Sequence, residues 1–338
     1  MERTYRVAVL GGGSFGTVIG NIIAENGHSV RLWLRNRERA QEINSARENH
    51  EYLPGYQLSD NLVAYDVLAA AVSEVDLVFV AVPSGSFRTV VAELSGLVAP
   101  EAVIVSLTKG IEADGFKLMS QILREEMPGH PIGVLSGPNL AGEIARGHIS
   151  GSVIASELPA VTRLIHDLLH CPAFLIYSSH DMYGVELGGA LKNVYAILSG
   201  VGAALDFGEN TVGMLLTRAL AEMSRFAVHM GANPMTFLGL SGVGDLVVTC
   251  SSPLSRNYRV GMAVAHGQPL EDVLAGMDQV AEGINTLALV KCEADRRGVD
   301  MPLVDGLYRM LHEQQPVEAV FNAMMSTEEA QDVEFVVR

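Results

Sequence analysis

Val7-Ala8-Val9-Leu10-Gly11-Gly12-Gly13-Ser14-Phe15-Gly16 is the stretch from which the fold can be read, a short apolar strand running into a glycine loop and then a helix. Gly11, Gly13 and Gly16 stand at the G-x-G-x-x-G spacing, which serves a tight turn, close backbone approach to a pyrophosphate and close helix-strand packing. Only glycine does all three. The helix expected from Ser14 to Asn26, with Gly27 as its C-terminal stop, points its first free N–H groups and positive dipole end at that pyrophosphate. Lying between a strand and a helix, the spacing favours dinucleotide binding over a merely structural turn.

Working outward, Ser29-Val30-Arg31-Leu32-Trp33-Leu34 reads as a second strand ending at Arg35-Asn36-Arg37. An acid at that strand end would bond a ribose 2′-hydroxyl, whereas an arginine pairs with the 2′-phosphate of NADP. Arg35 therefore favours NADP over NAD. The bland alternative is a solvated basic turn in which Glu38 and Glu42 pair with Arg37 and Arg39. Asp76 to Val82 and Ala102 to Leu107 are further apolar runs, with a helix after Pro83 between them. Such runs suit strands buried on both faces of a parallel sheet. The expected fold class is α/β, an N-terminal doubly wound Rossmann domain with a mostly parallel sheet, followed by an all-α C-terminal domain. In such sheets ligands bind beyond the carboxyl ends of the strands. Those places are Pro83-Ser84, Thr108-Lys109-Gly110 and Ser136-Gly137-Pro138-Asn139.

Strands near Gly151 to Ala155 and Ala173 to Tyr177 flank a helix carrying His166 and His170, a pair at metal-ligand spacing. Asp167 is one carbon shorter than the glutamate of a zinc protease and no third ligand is evident, so no metal is expected. From about Asp181 only helical patterns follow, near Met182 to Leu205, Val212 to Met230, Arg256 to His266, Ile284 to Arg297, Val304 to Glu313 and Pro316 to Met325. The domains expected are 1–185 for the dinucleotide and 186–338 for substrate and catalysis.

A chain of 338 residues has room for about two domains, and its net charge of -16 with a pI near 5.0 disfavours nucleic acid or an anionic membrane as partner. An anionic substrate then needs a local cluster of positive groups. Cys171, Cys250 and Cys292 are odd in number and far apart, which suits a reducing cytoplasm. The first strand starts within a few residues, leaving no room for an export signal. The longest apolar tract, Leu187 to Leu205, carries Lys192 and Asn193 near its start and reads as a buried helix rather than a membrane span.

Lys192 is the candidate acid-base group. Within one helical turn of it along the chain there is no other charge, and desolvation disfavours the ammonium form. Gly188-Gly189 would admit a close backbone or ligand on that face. The bland reading is a lysine whose head snorkels to water. Lys109 follows a central strand, where substrate and nicotinamide would meet, although a lysine in a glycine-bordered loop is often only surface. Ser255-Arg256-Asn257 at a helix start combines a hydroxyl, a guanidinium fork and free N–H groups suited to phosphate. Its plain alternative is an N-cap beside an exposed arginine. Asp245 could orient Lys192 or take a substrate hydroxyl.

Together these pieces resemble the bacterial-type NAD(P)-dependent glycerol-3-phosphate dehydrogenases. The likeness runs in order through Gly11 to Gly16, Thr108-Lys109-Gly110, Ser136-Gly137-Pro138, Gly189-Ala190-Leu191-Lys192-Asn193, Gly242-Val243-Gly244-Asp245-Leu246, Ser255-Arg256-Asn257 and Glu282-Gly283. It implies Lys192 as proton acceptor, and contacts to glycerol 3-phosphate from Lys109, Gly137, Asp245, Ser255, Arg256 and Asn257. The cofactor, NADP by preference or NAD, would touch Ser14, Phe15, Arg35, Lys109, Ala141, Arg256, Val280 and Glu282. Asn139-Leu140 departs from the family pattern of a small hydroxyl residue followed by an aromatic, yet Asn139 can still donate and accept hydrogen bonds and is counted among the expected substrate contacts. The resemblance also implies a cytoplasmic homodimer that supplies phospholipid synthesis. A dehydrogenase of another hydroxy acid or sugar phosphate, and a non-catalytic NADP sensor, stay open at this point.

Overall fold

The computed structural model describes residues 3–277 and 281–325. Contacts divide it into two compact units. One runs to Glu112 and resumes over Lys117–Met182; the other takes Ala113–Phe116 and the chain from Tyr183 onward.

Among the described residues the first unit holds ten strands: β1 Arg6–Leu10, β2 Ser29–Trp33, β3 Leu62–Tyr65, β4 Leu77–Val80, β5 Val103–Ser106, β6 Ile111–Glu112, β7 Lys117–Leu118, β8 Ile132–Ser136, β9 Ser150–Ala155 and β10 Phe174–Ser179. Eight of them form one sheet in the order β10-β9-β8-β5-β4-β1-β2-β3. All neighbours in it pair parallel except β8 with β9. The apolar runs are buried throughout in β4, β5 and β8, as a sheet with both faces covered requires. Strand order reverses between β1 and β4, and a crevice opens beyond the carboxyl ends at such a switch.

Helices α1 Ser14–Glu25, α2 Arg37–Ala46, α3 Leu68–Val72, α4 Ser84–Ala92, α5 Met119–Glu126, α6 Ala141–Ala145 and α7 Pro159–Leu169 belong to this unit. The first ends as its sequence demands: Gly27 takes φ +90°, and His28 N donates to Ile23 O at 3.2 Å while Gly27 N donates to Ala24 O at 3.1 Å. A left-handed glycine there satisfies the last carbonyls of the helix. The two-residue strands β6 and β7 pair antiparallel as a hairpin that no sequence pattern signalled.

The second unit is helical: α8 Met182–Ala204, α9 Glu209–His229, α10 Asp245–Ser251, α11 Arg256–Ala265, α12 Leu270–Ala275, α13 Glu282–Arg297, α14 Pro302–His312 and α15 Val317–Met325. A 3-10 turn at Pro234–Leu238 and a π turn at Leu240–Gly244 precede α10. Tyr195, Phe226, Phe237 and Phe321 anchor its core. Phe116, at the hairpin tip, packs edge-on against Phe226 at 5.8 Å between ring centres. Among the described residues no helix is long and apolar enough to cross a membrane.

Candidate active site

In the first unit the three glycines each meet a different surrounding. Gly11 adopts φ +121°, and a Cβ there would overlap the carbonyl of Ala81 just past β4, so the two edges of the switch crevice meet at this glycine. A Cβ on Gly16 would overlap Gly11 O, which is the helix-strand contact. Around Gly13, the N-cap of α1, none of the described residues lies within 4 Å of such a Cβ. One glycine turns the chain, one packs the helix, and the third leaves its backbone open to an approaching anion. The cradle fits a dinucleotide diphosphate.

Around it, Ser14 Oγ donates to Tyr52 O at 3.1 Å, and Phe15 is half-buried against the core beneath the sheet. Arg35 is exposed past the end of β2 and forms no ion pair among the described residues. Its neighbours are engaged: Arg37 lies 3.9 Å from Asp66, and Arg39 pairs with Glu51 and covers the Tyr52 ring. The pairing of Arg37 and Arg39 with Glu38 and Glu42 is therefore not found, since Glu42 bonds His50 instead at 3.0 Å.

Past β5, Thr108 Oγ1 donates to Val82 O at 2.7 Å and so ties this loop to the one after β4. Lys109 Nζ donates to Gly137 O at 2.8 Å. Gly137 itself takes φ +141°. Ser152 Oγ donates to Asn139 Oδ1 at 2.7 Å, while Asn139 Nδ2 and Ser136 Oγ are buried with no partner among the described residues. Two unsatisfied buried groups beside an ammonium mark a place where a ligand can complete the bonding. Ala141 begins α6 and packs against the same core. His166 and His170 stack at 4.5 Å, and His170 Nδ1 faces Ile176 N at 3.2 Å. Among the described residues no group of three or more His, Cys, Asp or Glu side chains is set to hold a metal.

In the second unit Lys192 is 6% exposed, and the isolation seen along the chain does not hold in space. Its Nζ is paired with Asp245 Oδ1 and donates to Thr249 Oγ1 at 2.8 Å. Asp245 is 1% exposed. A buried ammonium is tolerated where a carboxylate and a hydroxyl receive its protons. Gly188, one turn before Lys192 on the same face of α8, makes the approach feasible: a Cβ there would overlap Ser241 O in the π turn that leads into Asp245. The close neighbour of Gly188 is thus backbone. Thr249 escaped the sequence reading, although it stands one turn past Asp245 on α10.

Ser255 is the N-cap of α11, its Oγ accepting from Tyr258 N at 3.4 Å, and Arg256 follows exposed. The plain capping reading therefore describes the local structure, and the hydroxyl proton and guanidinium remain suited to phosphate. Asn257 is committed more deeply: Nδ2 donates to Asn193 Oδ1 and Oδ1 accepts from Gly283 N, both at 3.0 Å. It joins α8, α11 and α13. Glu282 opens α13, half-buried, and Val280 lies outside the described residues.

A dehydrogenase working with NAD or NADP is the class that this fold, with a lysine so placed, defines. Residues 6–162 match the family described as NAD-dependent glycerol-3-phosphate dehydrogenase N-terminus, and residues 181–322 its C-terminus. The chain belongs to the NAD-dependent glycerol-3-phosphate dehydrogenase family. It is 53% identical over 334 residues to the glycerol-3-phosphate dehydrogenase [NAD(P)+] of Saccharophagus degradans, covering 99% of this chain and 93% of that one. The like-named protein of Azotobacter vinelandii is 54% identical over 330 residues, covering 98% and 97%. The crystal structure of glycerol-3-phosphate dehydrogenase from Coxiella burnetii superposes with a TM-score of 0.92 at 32% identity, covering 96% of this chain and 99% of that one.

Proposed function

We propose that the chain interconverts dihydroxyacetone phosphate and sn-glycerol 3-phosphate with NADPH or NADH, in the cytoplasm and as a homodimer, and so supplies glycerophospholipid synthesis. The observation that carries this reading is the near full-length match to relatives so named at 53–54% identity. Residues 1–185 serve the dinucleotide in this reading, and 186–338 the substrate and the proton.

Lys192 gives a proton to the C2 oxygen in reduction and takes it back in oxidation. Unlike a guanidinium, an ammonium can give up its proton, which is why lysine suits the position. Asp245 and Thr249 hold the Nζ in place, and their contacts support that role. Lys109 stabilises charge developing on the same oxygen. Asn139, through its unpartnered Nδ2, and Gly137 contact the substrate. Ser255, Arg256 and Asn257 hold the phosphate end, so that C2 is oriented before the chemical step. The nicotinamide, when bound, carries the hydride given to or taken from C2. Glu282 and Val280 complete the cofactor contacts.

The test is the initial rate of NADPH oxidation with dihydroxyacetone phosphate, set beside NADH and beside unphosphorylated dihydroxyacetone. Rapid oxidation with the phosphorylated ketone alone is expected. Equal rates with both ketones would remove the phosphate from the reading.

A further inference from the structure

The glycine loop cannot fix its own shape, because Gly11, Gly12 and Gly13 have no side chains and a glycine backbone is conformationally permissive. Something else must hold it. Gly11 N donates to Trp33 O at 2.9 Å, and Thr17 N donates to Gly13 O at 2.9 Å as α1 begins. The carbonyl of Gly12, between these points, is held from outside the loop. Asn49, 1% exposed in the segment after α2, donates from Nδ2 to Gly12 O at 2.9 Å and to Thr17 Oγ1 at 2.8 Å.

Both amide protons of Asn49 are thereby spent, and its Oδ1 is buried with no hydrogen-bond partner among the described residues. A buried unsatisfied acceptor destabilises the fold, and a leucine of similar size would avoid it. Only a donor, however, can hold the Gly12 carbonyl. The Asn49 turn is itself closed, with Leu53 N donating to Asn49 O at 2.8 Å, and Tyr52 O receives the Ser14 hydroxyl. The segment thus grips the loop at two points.

We infer that Asn49 is a positioning residue for the dinucleotide. Holding the Gly12 carbonyl fixes the peptide leading into Gly13, and with it the direction of the backbone N–H groups that face the diphosphate. This rests on the dinucleotide reading of the loop. Asn49 belongs to the first unit, whereas Lys192, Asp245 and Thr249 belong to the second.

The test is Asn49→Leu, followed by direct NADPH binding through the fluorescence of the bound nucleotide and by steady-state kinetics with dihydroxyacetone phosphate. Expected are a Kd for NADPH raised about tenfold or more, kcat at saturating NADPH within about twofold, and an unchanged KM for the ketone. A folded N49L protein, with circular dichroism like the parent, that binds NADPH within about twofold of wild type overturns the inference. So does a fall in kcat at unchanged Kd, which would place the residue with the chemistry. If N49L does not fold, Asn49→Ser, too short to reach Gly12 O, carries the same expectation and the same refutation. A parent protein that binds no NADPH overturns the dinucleotide reading itself, an outcome distinct from equal binding by parent and variant.

Discussion

At the scale of single residues, two side chains carry the sharpest expectations. Lys192→Ala removes the proton donor, so kcat should fall by about a hundredfold or more while NADPH binding is retained. Parallel rate and fluorescence titrations check this, and undiminished turnover would refute the acid-base role. Arg35→Ala removes an exposed guanidinium that no described carboxylate engages. The KM for NADPH should rise about tenfold, the loss expected for one charge-assisted hydrogen bond, with the KM for NADH nearly unchanged. An equal rise for both would sink the 2′-phosphate reading. The loop glycines were legible because their spacing is local. The Lys192–Asp245 pair was less so, since 53 positions separate its partners, and Thr249 at 57 left no signal in the sequence. Asn49, 37 positions from Gly12, escaped for the same reason.

At the scale of elements, long apolar strands and helices could be read because they repeat a period over many residues. The hairpin of β6 and β7 and the π turn at Leu240–Gly244 could not, being too short for any period. Another tertiary device joins three helices. The N-cap of α14, Met301, offers no side-chain cap. Glu222 of α9 supplies one from afar, accepting from Leu303 N at 2.6 Å and Val304 N at 3.4 Å, while Tyr195 OH of α8 lies 3.2 Å away. Burial pushes the Glu222 carboxyl up to about 8. The folded chain then holds this proton more tightly than the unfolded chain, whose carboxyl titrates near 4.5. Its contribution to stability is full below that lower value and is lost as pH rises through about 8. Glu222→Gln, which cannot ionise, should therefore flatten the decline of Tm between about pH 5 and about pH 8. Thermal melts across that range check it, and parallel declines in parent and variant would contradict the assignment.

At the scale of the whole molecule, a ligand that binds only the folded chain must stabilise it. NADPH at a hundred times its Kd should add about 2.7 kcal/mol and raise Tm. In Gly11→Ala that gain should vanish, because a side chain at φ +121° is strained and its Cβ would overlap Ala81 O. An undiminished shift in that variant would detach the loop from the cofactor. The sequence has only four lysines, Lys109, Lys117, Lys192 and Lys291, among 23 basic residues. Lys117 and Lys291 have side chains 34% and 23% exposed, Lys109 is half-buried on Gly137 O, and the side chain of Lys192 is 8% exposed beside Asp245. Among the lysines, amine-directed labelling should therefore reach Lys117 and Lys291 well before Lys192, the buried amine being the last of these three to carry a tag.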